Sequence, residues 1–85
     1  MDATDKLVIK TALAMLRAAG GTGLGKPALL DQIGLAAGAP TTDARREAAF
    51  QTLLDRGWMD WHMEPVWHDR RYTITERGMT ALEAM

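Results

Sequence analysis

The sequence predicts an α+β fold, a three-helix body followed by a β-hairpin and a short closing helix. Three observations carry this reading. Apolar residues recur at helical spacing up to about residue 56. The period then changes from 3.6 to 2 between residues 58 and 75. Glycine or proline interrupts the chain at most changes of element. With 85 residues the chain makes one domain, 1–85, around one modest core.

The first helix is expected to run to about Ala19, with Thr4 or Asp5 as its cap and Gly20-Gly21 as its stop. Leu7, Val8, Ile9, Ala12, Leu13, Met15 and Leu16 give it a wide apolar face, while Lys6, Lys10 and Arg17 share the opposite side. Pro27 suits the first turn of a second helix, where its missing N–H costs nothing. That helix turns Leu29, Leu30 and Ile33 to the core, and "GAPTT" breaks it. A third helix over 42–56, capped by Thr41, Thr42 or Asp43, has Phe50, Leu53 and Leu54 as its buried stripe. Ala44, Arg45, Ala48, Thr52 and Asp55 point away from that stripe, and Gly57 closes the helix.

The hairpin follows. "WMDWHME" alternates Met59, Trp61 and Met63 with Asp60, His62 and Glu64, and "RRYTIT" alternates Tyr72 and Ile74 with Arg71 and Thr73. "EPVWHD" is the connecting loop, broken by Pro65. If Tyr72–Ile74 pair with Trp58–Asp60, His62 stands opposite Arg70. Thr75 caps a last helix with Met79 and Leu82 facing inward, and an extended piece at 22–25 is positioned to add a third strand.

Composition narrows the function classes. A hydrophobic fraction of 47% and a charged fraction of 25% are those of an ordinary globular protein. No cysteine is present, so disulfides and thiolate metal sites are excluded. The acidic start Met1-Asp2-Ala3-Thr4-Asp5 is unlike a secretory signal, and no apolar run is long enough for a bilayer. The expectation is a cytoplasmic chain with no membrane contact. The formal net charge of -1 means that any nucleic-acid role must rest on where the charges sit.

Gly20, Gly25 and Lys26 have the spacing of a phosphate-binding P-loop, yet Pro27 replaces the hydroxyl residue that would reach magnesium. The segment also follows a helix, whereas a P-loop follows a buried parallel strand. The glycines are read as a connector, with no nucleotide and no cofactor expected. His62 and His68 are read as solvated rather than as metal ligands. Neither a Ser/His/Asp arrangement nor a pair of buried carboxylates is evident, and no catalytic residue is assigned.

Three tryptophans crowd residues 58–67. Trp58 and Trp61 are expected to seal the core, whereas Trp67 falls with Pro65 and Val66 in an apolar loop tip. Arginines cluster as Arg45-Arg46 and Arg70-Arg71, and Lys26 opens the second helix. These cations are either a solvated face or the flanks of a groove-binding helix.

From Phe50 onward the chain resembles the winged helix-turn-helix domains of bacterial transcriptional regulators of the MarR-like and PadR-like kind. Their pattern L-x-x-L-x-x-x-G-L-[IV], hairpin, Y-x-L-T-x-x-G is met here by Phe50, Leu53, Gly57-Trp58-Met59 and Tyr72-Thr73-Ile74-Thr75-Glu76-Arg77-Gly78. "LLDQIGL", residues 29–35, is similar to the family's second helix. The resemblance implies a winged helix whose third helix enters the major groove of double-stranded DNA. Ala44 and Ala48 would then allow close approach, Arg45 would reach guanine or phosphate, and Thr41 and Thr42 would donate to phosphate. Lys26, Arg46, Arg70 and Arg71 would add backbone contacts.

Two functions are expected on this basis. One is a repressor-like DNA-binding regulator, a homodimer. The other is a protein-interaction module that inserts Pro65, Val66 and Trp67 into a partner's groove or another protomer.

Overall fold

The computed structural model describes residues 3–36, 42–66 and 68–85, apart from the side chains of Thr4 and Ala36. Helix α1 spans Ala3–Ala19 and leads through one 3-10 turn, Gly20–Thr22, to α2, Lys26–Ala36. Then come α3 (Asp43–Asp55), β1 (Met59–Glu64), β2 (Asp69–Ile74) and α4 (Glu76–Ala84). The arrangement is α+β and winged-helix-like: helices carrying an antiparallel hairpin, as the periodicities predict.

The core gathers one face of every α-helix and strand. Val8, Ile9, Ala12, Leu13 and Leu16 of α1 meet Leu29 and Ile33 of α2. Ala49, Phe50 and Leu53 of α3, Met59, Tyr72 and Leu82 complete it. Removing a leucine or isoleucine side chain of this kind from water stabilises the fold by roughly 1.5–3 kcal/mol. Leu30, Leu54 and Trp58 pack partly buried against this cluster. Phe50 sets its edge against Tyr72, with ring centroids 4.9 Å apart, and so joins α3 to the hairpin.

Helix ends follow local chemistry. α1 begins at Ala3, so Thr4 and Asp5 lie inside it instead of capping it. Asp5 still suits the first turn, where the helix dipole favours a negative charge. Leu7 is exposed, because at 100° per residue it falls outside the line through Val8, Ala12 and Leu16. For α3 the cap is Thr42, whose Oγ1 accepts from the Arg45 amide at 3.2 Å. Its other end is a Schellman closure: the Trp58 amide donates to the Leu53 carbonyl and that of Gly57 to Leu54, each at 3.0 Å. Gly57, at φ 69°, supplies the left-handed step this needs. Thr41 lies outside the described residues.

The extended piece after the 3-10 turn forms a bridge rather than a strand. Leu24 exchanges two backbone hydrogen bonds with Tyr72, at 2.9 and 2.8 Å, and the chain then turns into α2. Gly23 makes this approach possible. Its φ is +71°, and a Cβ there would stand 2.5 Å from the Tyr72 carbonyl oxygen.

The hairpin register differs by one residue from the sequence expectation. Met59 faces Ile74, Trp61 faces Tyr72, His62 faces Arg71 and Met63 faces Arg70. Directly opposed residues share a face, so this register puts Met59 and Trp61 on the same side as Ile74 and Tyr72. The expected pairing would have set the buried Tyr72 opposite the exposed Asp60, splitting the apolar side between two faces.

Thr75 caps α4 as expected, its hydroxyl accepting from the Gly78 amide at 3.0 Å and donating to the Gly57 carbonyl at 2.6 Å. Leu82 is buried. Met79 is exposed instead, since α4 spends its inward face on Gly78, Ala81 and Leu82.

Candidate functional site

Two surfaces hold the residues singled out by the sequence: the outward line of α3 and the outer half of the hairpin. On α3, Ala44, Glu47, Ala48, Gln51 and Asp55 are exposed and recur at intervals of three or four residues, so they form one line. That line carries two carboxylates and no cation. Gln51 is tied to it by a bond from its Nε2 to Asp55 Oδ1 at 2.9 Å, and the Thr52 hydroxyl donates back to the Ala48 carbonyl.

The expected phosphate contacts are dispersed and engaged. Arg45 leans toward α1, where its Nε stands 3.5 Å from Asp5 Oδ1. Arg46 leans the other way, onto the open side of Gly34 in α2, with Asp43 at 4.0 Å. Lys26 reaches Glu47 Oε2 at 3.1 Å and lies 4.8 Å above the centre of the Phe50 ring. Arg71 donates from Nε to the Thr22 carbonyl at 3.3 Å and from Nη2 to the Gly23 carbonyl at 3.1 Å, pinning the connector to β2. Arg70, one residue away and so on the other strand face, covers the Trp61 ring at 4.4 Å. Each of these five cations thus has a partner within the chain: a carboxylate for Lys26, Arg45 and Arg46, main-chain carbonyls for Arg71 and a ring for Arg70.

The hairpin contributes the larger apolar surface. Trp61 is 45% exposed, Met63 50% and Val66 75%, and Pro65 is exposed beside them. Trp67 lies outside the described residues. Trp61 therefore does not seal the core, although Trp58 does pack against it. The reason is reach. A strand advances about 3.3 Å per residue, so Met63 stands about 13 Å beyond the buried Met59 and past the edge of the helices. Strand length set against body size is the signal that alternation alone conceals.

No protein-family model matches the chain. Neither a curated protein nor a solved structure matches it. His62 and His68 are both exposed, and no group of three or more metal-ligating side chains assembles among the described residues. A wide cleft of about 950 Å³ opens between the end of α3 and α4, bordered by Trp58 and Met79 with Asp55, Arg56, Glu76 and Arg77 around them. Its charges alternate in sign.

Proposed function

We propose that this domain works by binding another protein through the outer half of its hairpin. The observation that carries the reading is the exposure of three large apolar side chains, Trp61, Met63 and Val66, within six residues of one hairpin. A small domain cannot leave such residues solvated without cost unless something covers them in use. Tryptophan, methionine and arginine are also the side chains enriched at interface centres, and here Arg70 lies across Trp61.

Charge placement favours the same role. A DNA reader whose five expected cations all met phosphate would lose affinity with a log–log salt slope of about -4.5. Lys26, Arg45 and Arg46 are each paired with a carboxylate and Arg71 with two carbonyls, so each phosphate contact made by these four would first replace a contact within the chain, and the slope is expected to be shallower than that. Docking α3 in a groove would also bring Glu47 and Asp55 against phosphates.

The test is capture by the immobilised domain. Met63→Glu and Val66→Glu together are expected to abolish retention of the partner while the melting temperature stays within a few degrees. Retention equal to that of the unaltered chain refutes the reading.

A second reading, duplex DNA recognition by a repressor-like regulator, is favoured by Ala44 and Ala48, which leave the face of α3 low enough for close approach. Its measurement is gel retardation with mixed-sequence DNA at low salt. Retardation at micromolar protein with a slope of two or more supports it; the absence of any shift removes it.

A further inference from the structure

Met63 is 50% exposed and Met79 38%, whereas Met59, four residues earlier on the strand of Met63, is 2% exposed. Met15 and Met85 are half-buried. Oxidation of a thioether follows its access to solvent, so the fold offers peroxides two methionines outside the core. Of these two, Met63 stands on the hairpin with the exposed Trp61 and Val66, and Met79 on α4.

Strand geometry gives Met63 a second distinction. The Thr75 amide donates to the Trp58 carbonyl, so Trp58, Asp60, His62 and Glu64 turn their backbone groups toward β2. Met63 and Arg70 oppose each other in the alternate, non-hydrogen-bonded kind of pair, where Cα atoms come within about 4.5 Å and side chains are closest. The Arg70 guanidinium lies over the Trp61 ring at 4.4 Å and, among the described residues, is paired with no carboxylate. Trp61, Met63 and Arg70 thus share one face of the hairpin.

We infer that Met63 is a site of reversible oxidation, at which hydrogen peroxide withdraws the hairpin surface from its partner. The inference rests on the protein-binding role proposed for the hairpin and adds the regulation of that surface. The sulfur lone pair attacks one oxygen of the peroxide. The O–O bond breaks as the S–O bond forms, and the leaving hydroxide takes the proton of the transferred oxygen and departs as water. Sulfur gives up two electrons and the peroxide is reduced.

A thioether is a weak acceptor, whereas the sulfoxide is polar and chiral and its oxygen accepts strongly. The donor opposite is Arg70, so its guanidinium turns from the Trp61 ring to the new oxygen. One added atom thereby changes Met63 and uncovers Trp61. A partner that buries the apolar thioether would have to bury a dipole in its place. The body is not disturbed, because Met63 stands beyond the helices. Met59, whose sulfoxide would lie in the core, is the methionine that the fold shields.

Hydrogen peroxide treatment of the Met79→Leu chain, followed by peptide mass mapping, tests this. Met63 is expected to gain one oxygen about tenfold faster than Met59 or more. The oxidised chain is expected to keep its melting temperature within a few degrees, to leave a phenyl column earlier and to show a displaced Trp61 indole N–H resonance. Retention of lysate proteins by the immobilised domain is expected to fall about tenfold or more. Methionine sulfoxide reductases for both epimers, supplied with a dithiol, are expected to restore retention and resonance alike.

Met63→Leu added to Met79→Leu removes the sulfur and keeps the apolar volume. Whatever its own level of retention, that chain is expected to behave identically on both columns before and after treatment. Oxidation of Met63 no faster than that of Met59 overturns the inference. So does undiminished retention by the chain oxidised at Met63, or an equal response to peroxide from the chain without that sulfur. Should oxidation leave retention intact while Met63→Glu with Val66→Glu abolishes it, the switch falls and the protein-binding role stands. Retention indifferent to those charges removes the role, and the switch with it.

Discussion

Gly78→Ala sets two effects of opposite sign against each other at one carbon atom. In the interior of a helix alanine is favoured over glycine by roughly 0.8–1 kcal/mol, and by up to that much in the first turn where Gly78 stands, so propensity alone predicts a stabilised α4. The site does not allow it. A Cβ at Gly78 would press into the Trp58 backbone carbonyl and lie 2.7 Å from Ile74 Cγ1. The first neighbour is main chain, held in place by the bond from the Thr75 amide, so no rotamer change relieves the contact. Overpacking of this kind costs about 3 kcal/mol, at the upper end of the usual range. The net loss is then roughly 2 kcal/mol, or a fall of about 8–16 °C in Tm for a domain of this size. Circular dichroism melts of the variant beside Gly21→Ala measure it. A methyl group added at Gly21 would meet nothing within 4 Å, so that substitution is expected to be neutral or slightly stabilising. A Gly78→Ala Tm equal to or above that of the unaltered chain would refute the packing of α4 against the entry to β1.

Leu53→Ala removes a fully buried side chain between α3 and the body and is expected to cost about 2–5 kcal/mol, read as a lower urea midpoint with unchanged m-value. Thr75→Ala loses both the α4 cap and the bond to the Gly57 carbonyl, for an expected loss of about 1–2 kcal/mol or somewhat more by the same assay. Arg71→Ala frees the Thr22 and Gly23 carbonyls; amide exchange is expected to quicken at Leu24 and Tyr72 well before the helices respond.

The parts of the fold that are legible in the sequence are those where period and punctuation agree. Phe50 and Leu53 recur as a helix requires, Gly57 supplies a left-handed closure, and the alternation from Met59 begins two residues later. Thr75 ahead of Glu76 marks the last cap for the same local reason. What sequence spacing does not supply is the hairpin register. That is fixed by which strand face the helices cover, a fact of three dimensions. Met79 departs from its expected place on similar grounds, because helical periodicity names a face but not its width. The cations mislead in another way. A run such as Arg70-Arg71 reads as one basic patch, yet a strand sends successive side chains to opposite faces, and here one meets Trp61 while the other holds two carbonyls.

That separation of charge bears on function more than the net charge does. Of the ten lysines and arginines, Lys6, Lys10 and Arg17 are exposed along a single line of α1, a different helix from the one a winged-helix domain offers to DNA. The exposed line of α3 has instead Glu47 and Asp55 among small and neutral residues. A chain of the same net charge with these two lines exchanged would present a cationic helix beside its hairpin. The fold thus leaves the outward line of α3 without a cation and puts exposed apolar residues on the hairpin. Phosphate recognition is stabilised by a cationic surface and contact with protein by an apolar one. The substitution that separates them is Glu47→Lys with Asp55→Lys. It is expected to create retardation of mixed DNA at low salt, with a slope steeper by about two units, while capture through Met63 and Val66 is unchanged. Loss of that capture would mean that α3 belongs to the partner surface, and the division of labour between helix and hairpin would fail.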